Sequence, residues 1–283
     1  MIRQTAAAKI NLYLHVVGKR ADGYHLLDSL FAFAQDGDVV TVQPADSLSL
    51  EIGGTYARNL TVDENNSVVK AACLLAEKLN VQPKASLFLQ KNMPVASGIG
   101  GGSADAAAAL LALNKLWGNA ADFETLCEIA QKIGADVPAC LFSQAVFVSG
   151  IGEQIEKAPA VPLLPVLLVN PNIALSTPAV FKNRSGAFSV ADKMNTVDFS
   201  KENFIHALSL RQNDLTASAI GLVPEIQTVL DALQTCDSCL LARMSGSGAT
   251  CFALFKDEQS LKTAEIQIKQ RYPDWWVFSS FLV

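Results

Sequence analysis

The stretch MPVASGIGGGSADAAAALLALNKLW, residues 93–117, sets Gly98, Gly100, Gly101 and Gly102 directly before Ser103 and an alanine-rich run. Glycine has no Cβ, so successive backbone N–H groups can approach a ligand closely, and a helix beginning there adds the positive end of its dipole. Residues 106–113 are apolar on every side, which predicts a buried helix. By residue type Ser103 is a good N-cap, and Asp105 then stands favourably near the positive helix end. The stretch reads as a phosphate holder. On the loop alone, glycines that merely let helices and a strand pack closely are the alternative.

Two familiar phosphate loops do not match. A Walker A loop needs Gly-Lys-Ser or Gly-Lys-Thr at the helix start, and here Gly102 runs straight into Ser103. A dinucleotide fingerprint needs a strand feeding G-x-G-x-x-G and a second strand ending in an acidic residue. Here Pro94 interrupts the approach, and the next element reads as another helix.

The chain has 283 residues, enough for one large domain or two ordinary ones. Its 50% hydrophobic and 17% charged residues mark a folded protein rather than a disordered one. The net charge of -5 argues against a nucleic-acid or anionic-membrane surface, so an anionic ligand needs local donors. The longest apolar stretch, 161–169, is broken by Pro162 and Pro165, which excludes a bilayer span, and the first residues do not read as a signal peptide. A cytoplasmic location is expected. Six cysteines follow no regular framework and are expected to be free thiols; Cys236 and Cys239 lack the two further ligands a zinc site needs.

Strands are expected at residues 10–17, 29–33, 38–43, 47–52 and 86–90, with AQDG (34–37) as a turn between the second and third. A helix capped by Asn65 or Asn66 carries Val68, Val69, Ala72, Leu75, Ala76 and Leu79 on one face. Another runs over 122–133 and ends at Gly134. The segment APAVPLLP, 158–165, reads as a crossover into a second unit, with strands near 166–170, 240–244, 250–255 and 276–281 and helices near 203–211, 224–233 and 258–271. Strand pairs mixed with helices, without steady alternation, give an α+β class. His15 and His206 read as structural.

Pro94-x3-Gly98-Ile-Gly100-Gly-Gly-Ser-Ala-Asp105 resembles the nucleotide loop of the GHMP small-molecule kinases. Ala8-Lys9-Ile10-Asn11 and Met244-Ser-Gly-Ser-Gly-Ala-Thr250 fit the same superfamily. The segment AKINLYLHVVGKRADGYHLLDSLF, 8–31, is similar to the branch that acts on a cytidine-diphosphate-linked sugar alcohol in the non-mevalonate isoprenoid route, as are Gly134-Ala-Asp136-Val-Pro138, Asn170-Pro-Asn172 and Thr177-Pro-Ala-Val-Phe181. The resemblance implies a two-domain GHMP kinase fold. Residues 1–158 would form a ribosomal-protein-S5-domain-2-like nucleotide domain, and 159–283 a ferredoxin-like α/β sandwich.

The implied activity is ATP-dependent phosphorylation of an alcohol. In this pattern Asp136 is the base and Lys9 its cationic neighbour; on spacing alone Asp136 reads equally as a helix cap before Pro138, and a solvated strand end is the commoner fate of a lone lysine such as Lys9. Tyr24 offers a face for a pyrimidine to stack on, and His25 a ring nitrogen for its edge. Asn11 shares a strand face with Lys9, and Thr177 joins the implied substrate set. For ATP the resemblance covers Pro94, Val95, Ala96, Ser97, Gly98, Ile99, Gly100, Gly101, Gly102, Ser103 and Ala104, with Asn66 and Lys91 flanking the adenine pocket. Ser245, Gly246, Ser247 and Gly248 are candidates for a place near the phosphates, or form a close-packed bend. Mg2+ is expected with ATP, with Ser103 and Asp105 as candidate ligands. Ala96 and Ser97 depart from the glycines of some members, which the loop tolerates if their φ angles are negative.

Two other readings are open: a homoserine- or mevalonate-type GHMP kinase, and a catalytically silent ligand sensor of this fold. Arg20-Ala-Asp-Gly-Tyr-His25 speaks against the first, and the joint presence of Lys9 and Asp136 against the second.

Overall fold

In the computed structural model, which describes residues 1–194 and 197–283, two long strands open the chain. They are β1 (Ile2–Lys19) and β2 (His25–Gln43), paired with each other. There follow β3 (Ser49–Gly53), α1 (Ser67–Leu79), β4 (Ser86–Gln90), α2 (Gly101–Leu116), α3 (Phe123–Ile133) and α4 (Val137–Phe142). Next come β5 (Val146–Gly150), β6 (Gln154–Lys157), β7 (Leu164–Asn170), α5 (Thr177–Asn183), α6 (Lys201–Ser209) and α7 (Thr216–Leu222). The chain closes with α8 (Glu225–Gln234), β8 (Cys239–Met244), β9 (Cys251–Phe255), α9 (Glu258–Arg271) and β10 (Trp276–Leu282). This is α+β, as expected. The compact units are discontinuous, however: one holds residues 1–8, 36–95 and 100–143, the other 9–35, 96–99 and 144–283. The strands β1 and β2 and the glycine loop each contribute to both, so no single position such as 158/159 divides them.

In the first unit, β4 pairs antiparallel with the last residues of β2, from Val39↔Gln90 to Gln43↔Ser86, and parallel with β3. The helix α1 starts as its residues dictate, with the Asn66 side chain accepting from the Val68 amide and Val68, Ala71, Ala72, Leu75 and Ala76 buried. Asp122 caps α3 through the Thr125 amide. Packing α2 against α1, α3 and α4 explains its all-round burial, and its alanines give the room.

The AQDG segment is no turn: it continues β2 without a break. A Cβ on Gly37 would collide with the backbone carbonyl of Ala6, so glycine at 37 serves a close strand approach. Nor does Ser103 cap α2. The helix starts two residues earlier, with Gly100 as N-cap at φ 65, and Ser103 is its third residue. A left-handed N-cap favours glycine over serine, and that placement decides the start.

In the second unit, β5 pairs antiparallel with the first part of β2, from Leu27↔Gly150 to Phe31↔Val146, and with β6. The strand β10 pairs with β7, β7 with β9, and β9 with β8, all antiparallel. Every residue of β7 is buried, which fits its near-continuous apolar sequence. Helices α8 and α9 lie on this sheet, and Leu167, Val169, Ile226, Val229, Phe255 and Leu261 share one core. The short α4, α5 and α7 and the strands β5 and β6 escaped the sequence reading, because elements this short leave too little periodicity to recognise.

The same unit holds loop residues 96–99 against the turn 245–248. Gly98 has φ 79, and a Cβ there would stand 2.6 Å from the carbonyl oxygens of both Ser245 and Gly248. Ala96 has φ 51, so the condition of a negative φ is not met at this position. An alanine in that region carries about 1–2 kcal/mol of strain. We expect Gly98→Ala to lose about 2–4 kcal/mol in denaturant unfolding, from left-handed strain plus overpacking. In contrast, Ala96→Gly should change stability by no more than about 1 kcal/mol, because relieved strain and lost glycine entropy offset each other. Equal responses at both positions would contradict this account.

Candidate active site

In the first unit the loop hands over to α2 so that the amides of Gly101, Gly102 and Ser103 have no carbonyl one turn earlier within the helix to bond, whereas Ala104 already bonds the Gly100 carbonyl at 2.8 Å. Three amides at a helix start, with no side chain at 101 and 102, suit a phosphate. Beside them is a cavity of about 310 Å³ lined by Leu60, Thr61, Asn65, Asn66, Ser67, Leu89, Lys91, Val95, Gly102 and Asp105. Its walls mix apolar side chains with a few polar groups, as small-molecule pockets do. Asn66 lines it while spending its own side chain locally, accepting from Val68 and donating to the Thr61 carbonyl at 2.7 Å. Leu60, Thr61 and Leu89 were missed from sequence; nothing local marks them.

Lys91 lies at this wall too, but its side chain is 2% exposed and its ammonium is held by two carboxylates. Its Nζ donates to Asp38 Oδ2 at 2.5 Å and to Asp105 Oδ2 at 2.7 Å. Burial alone would lower the Lys91 pKa; Asp105 and Asp38 outweigh it and hold it above the ordinary lysine value. Burial raises the Asp105 pKa, with Lys91 opposing and Asp38 adding. Of the two candidate magnesium ligands, Asp105 gives one oxygen to Lys91, and its other oxygen is buried with no hydrogen-bond partner among the described residues. Ser103, half-buried at the helix start, retains a hydroxyl suited to that task.

The second unit gathers the distant segments. Lys9, 4% exposed, donates from Nζ to Asn11 Oδ1 at 2.8 Å and lies 4.4 Å over the Phe31 ring. The two side chains meet because residues 9 and 11 share a strand face. The Lys9 amide donates to the Ile99 carbonyl at 3.0 Å. Ser245 Oγ accepts from the Asn11 amide and donates to the Gly98 carbonyl, each at 3.1 Å. Thr177 Oγ1 and Ser247 Oγ are 2.7 Å apart. Lys9, Asn11, residues 97–99, 245–248 and Thr177 are thus one hydrogen-bonded assembly. Sequence reading missed Ser29, which accepts from Asn11 Nδ2, and Asn213, whose amide group bonds the carbonyls of Met244 and Gly246.

Tyr24 stands 60% exposed in the hairpin between β1 and β2. His25 stacks on Phe181 at 5.1 Å between ring centroids. Partial burial, then the nearby Lys19 and Arg184 charges, lower the His25 pKa, so its ring is neutral at pH 7 and offers one donor and one acceptor. Asp136, in the first unit, occupies the N-cap position of α4, with Pro138 in the first turn. The six cysteines are free thiols, and burial raises the pKa of Cys236 and, to about 11, that of Cys239. No helix among the described residues is long and apolar enough to cross a membrane.

The family model for the GHMP kinases N terminal domain matches residues 66–144, and that for the GHMP kinases C terminal domain matches 179–274. The 4-diphosphocytidyl-2-C-methyl-D-erythritol kinase of Paramagnetospirillum magneticum is 50% identical over 272 residues, covering 96% of this chain and 95% of the relative. A crystal structure of a 4-(cytidine 5'-diphospho)-2C-methyl-D-erythritol kinase superposes with a TM-score of 0.81 at 30% identity, covering 99% of each chain. A homoserine kinase from Cytophaga hutchinsonii reaches 0.74 at 20% identity, covering 99% of this chain and 94% of its own, a likeness of fold alone. The chain belongs to the GHMP kinases, in the 4-diphosphocytidyl-2-C-methyl-D-erythritol kinase family.

Proposed function

We propose that this chain transfers the γ-phosphoryl group of ATP to the 2-hydroxyl of 4-diphosphocytidyl-2-C-methyl-D-erythritol, giving the 2-phosphate and ADP. One observation carries the reading beyond the relatives' name: Lys9, Asn11, Gly98 and Ser245 are joined by hydrogen bonds. A glycine loop that lacks its own lysine needs a cation from elsewhere, and the lysine whose neighbour is tied to that loop is the candidate.

In this reading the substrate oxygen bonds to the γ-phosphorus while the bond to the β-phosphate bridging oxygen breaks. Asp136 takes the hydroxyl proton. Lys9 supplies positive charge for the developing negative oxygens, and Asn11 fixes the direction of its ammonium. The amides of Gly101, Gly102 and Ser103 take the ATP phosphates, and the cavity at Asn65, Asn66 and Ser67 takes the base. The Ser103 hydroxyl would be the candidate protein contact for a magnesium ion, which, bound with ATP, would offset charge on the phosphates. Tyr24, His25 and Phe181 form the aromatic group for the cytosine, and Thr177 stands at the start of the helix that carries Phe181. The partner is this small molecule, and a cytoplasmic location fits the supply of ATP.

ADP release measured with the cytidine-linked substrate, mevalonate and homoserine separates this reading from the other GHMP kinases. Turnover of the first alone is expected; turnover of mevalonate alone would overturn the reading. With the cytidine-linked substrate, Asp136→Ala should lower kcat by about 10²-fold or more, and unchanged kcat would remove Asp136 as the base. Tyr24→Ala should raise the KM of the cytidine-linked substrate by roughly tenfold, the scale of one stacked base, and leave the KM of ATP in place. Equal rises for both would remove the stacking role.

A further inference from the structure

Asp38 belongs to none of the segments that mark the family resemblance, yet it is fully buried beside the glycine loop's entrance. Its Oδ1 accepts from the amides of Asn92 at 2.5 Å and Met93 at 2.9 Å, the last residues before Pro94. Its Oδ2 holds Lys91, and Lys91 holds Asp105 in the second turn of α2. The two stems of one loop, the end of β4 and the beginning of α2, are therefore tied to a single ammonium group. That ammonium lies under the helix start, since a Cβ on Gly101 would be 3.1 Å from Lys91 Nζ.

A cation at a helix N-terminus opposes the dipole, and a buried ion triad is costly beside apolar packing of the same volume. Stability alone is a weak reason for such an arrangement. Its geometry does something apolar packing cannot: directional bonds fix the backbone at 92–93 and the helix at 105 relative to one point. The amides of Gly101, Gly102 and Ser103 then present a set direction.

We propose that Asp38 is a positioning residue for nucleotide binding, acting through Lys91 and Asp105 to hold the stems of the glycine loop, so that the first amides of α2 are aimed before ATP arrives. Lys91 is then a strut and not a ligand of the nucleotide. The inference rests on the reading of this loop as the ATP phosphate site.

The test measures dissociation constants of ATP and of cytidine 5'-diphosphate by calorimetry, for the full chain and for Asp38→Asn and Asp105→Asn, with circular dichroism to establish folding. Asp38→Asn keeps size and one acceptor but loses one of the two charges that hold Lys91; ATP should bind about tenfold more weakly, with cytidine 5'-diphosphate within about twofold of its original value. Asp105→Asn should weaken ATP by about threefold with the same selectivity, and it decides the matter if Asp38→Asn does not fold. A folded variant with unchanged ATP affinity overturns the proposal, as does an equal loss for both ligands, the mark of a merely structural role. Wild-type protein that does not bind ATP overturns the loop assignment itself. Wild-type protein that binds ATP but not cytidine 5'-diphosphate removes the substrate reading and leaves the positioning role to be judged on ATP alone.

Discussion

Between Gly98 and the turn at 245–248 the chain approaches itself backbone to backbone, with room for no side chain atom: a Cβ on Gly98 would stand 2.6 Å from two carbonyl oxygens, and one on Gly246 would stand 2.8 Å from the Gly98 carbonyl. Only glycine at both places permits this. Once the backbones are this close, Ser245 can bridge the Asn11 amide and the Gly98 carbonyl with one hydroxyl, and Lys9 can bond Ile99 through its amide. Asn213 holds the turn from beneath through two carbonyls. The positions of Lys9 and Asn11 thus follow from a contact that contains neither.

Buried polar groups are treated in two ways in this chain, and the difference bears on what they do. Arg243 is surrounded by carbonyls, with Leu12, Leu208 and Arg211 all accepting from its guanidinium, and burial lowers its pKa to about 10. It ties β8 to neighbouring segments without any counter-ion among those bonds. Lys91 instead sits between two carboxylates, where removing the ammonium would leave two buried acids facing each other uncompensated. The first arrangement satisfies backbone carbonyls that would otherwise be stranded. The second fixes directions at the entrance and exit of the glycine loop.

Much of the fold was legible where a signal is complete within a few residues. Asn66 and Asp122 announce α1 and α3, and the helix expected at 258–271 is found there with Asp257 as its cap. The alternation of Lys9 and Asn11 on one strand face needed only two positions. By contrast AQDG has every mark of a turn and lies in a strand, because Ala6 from β1 runs beside Gly37. Serine is the better cap by residue type, yet α2 begins at Gly101, since the backbone enters left-handed at Gly100. Asp38 carries no local mark, its partners Lys91, Asn92 and Met93 lying far along the chain, and the Asn213 side chain shows locally only a bond from the Leu215 amide while its amide group holds the carbonyls at 244 and 246.

The sequence by itself determined the residue types and short spacings: glycines where no Cβ fits, capping side chains beside the helices they start, and the strings that carry the family resemblance. Tertiary structure decided which of those groups meet, which side chains are committed to one another, and so which remain to face a ligand. The physical reason is range. Caps, periodicity and glycine conformations are settled by neighbours in the chain, whereas the partners of Lys91, Ser245 and Asn213 are set by how strands and helices pack, and a buried polar group takes whatever partner that packing brings within hydrogen-bond reach.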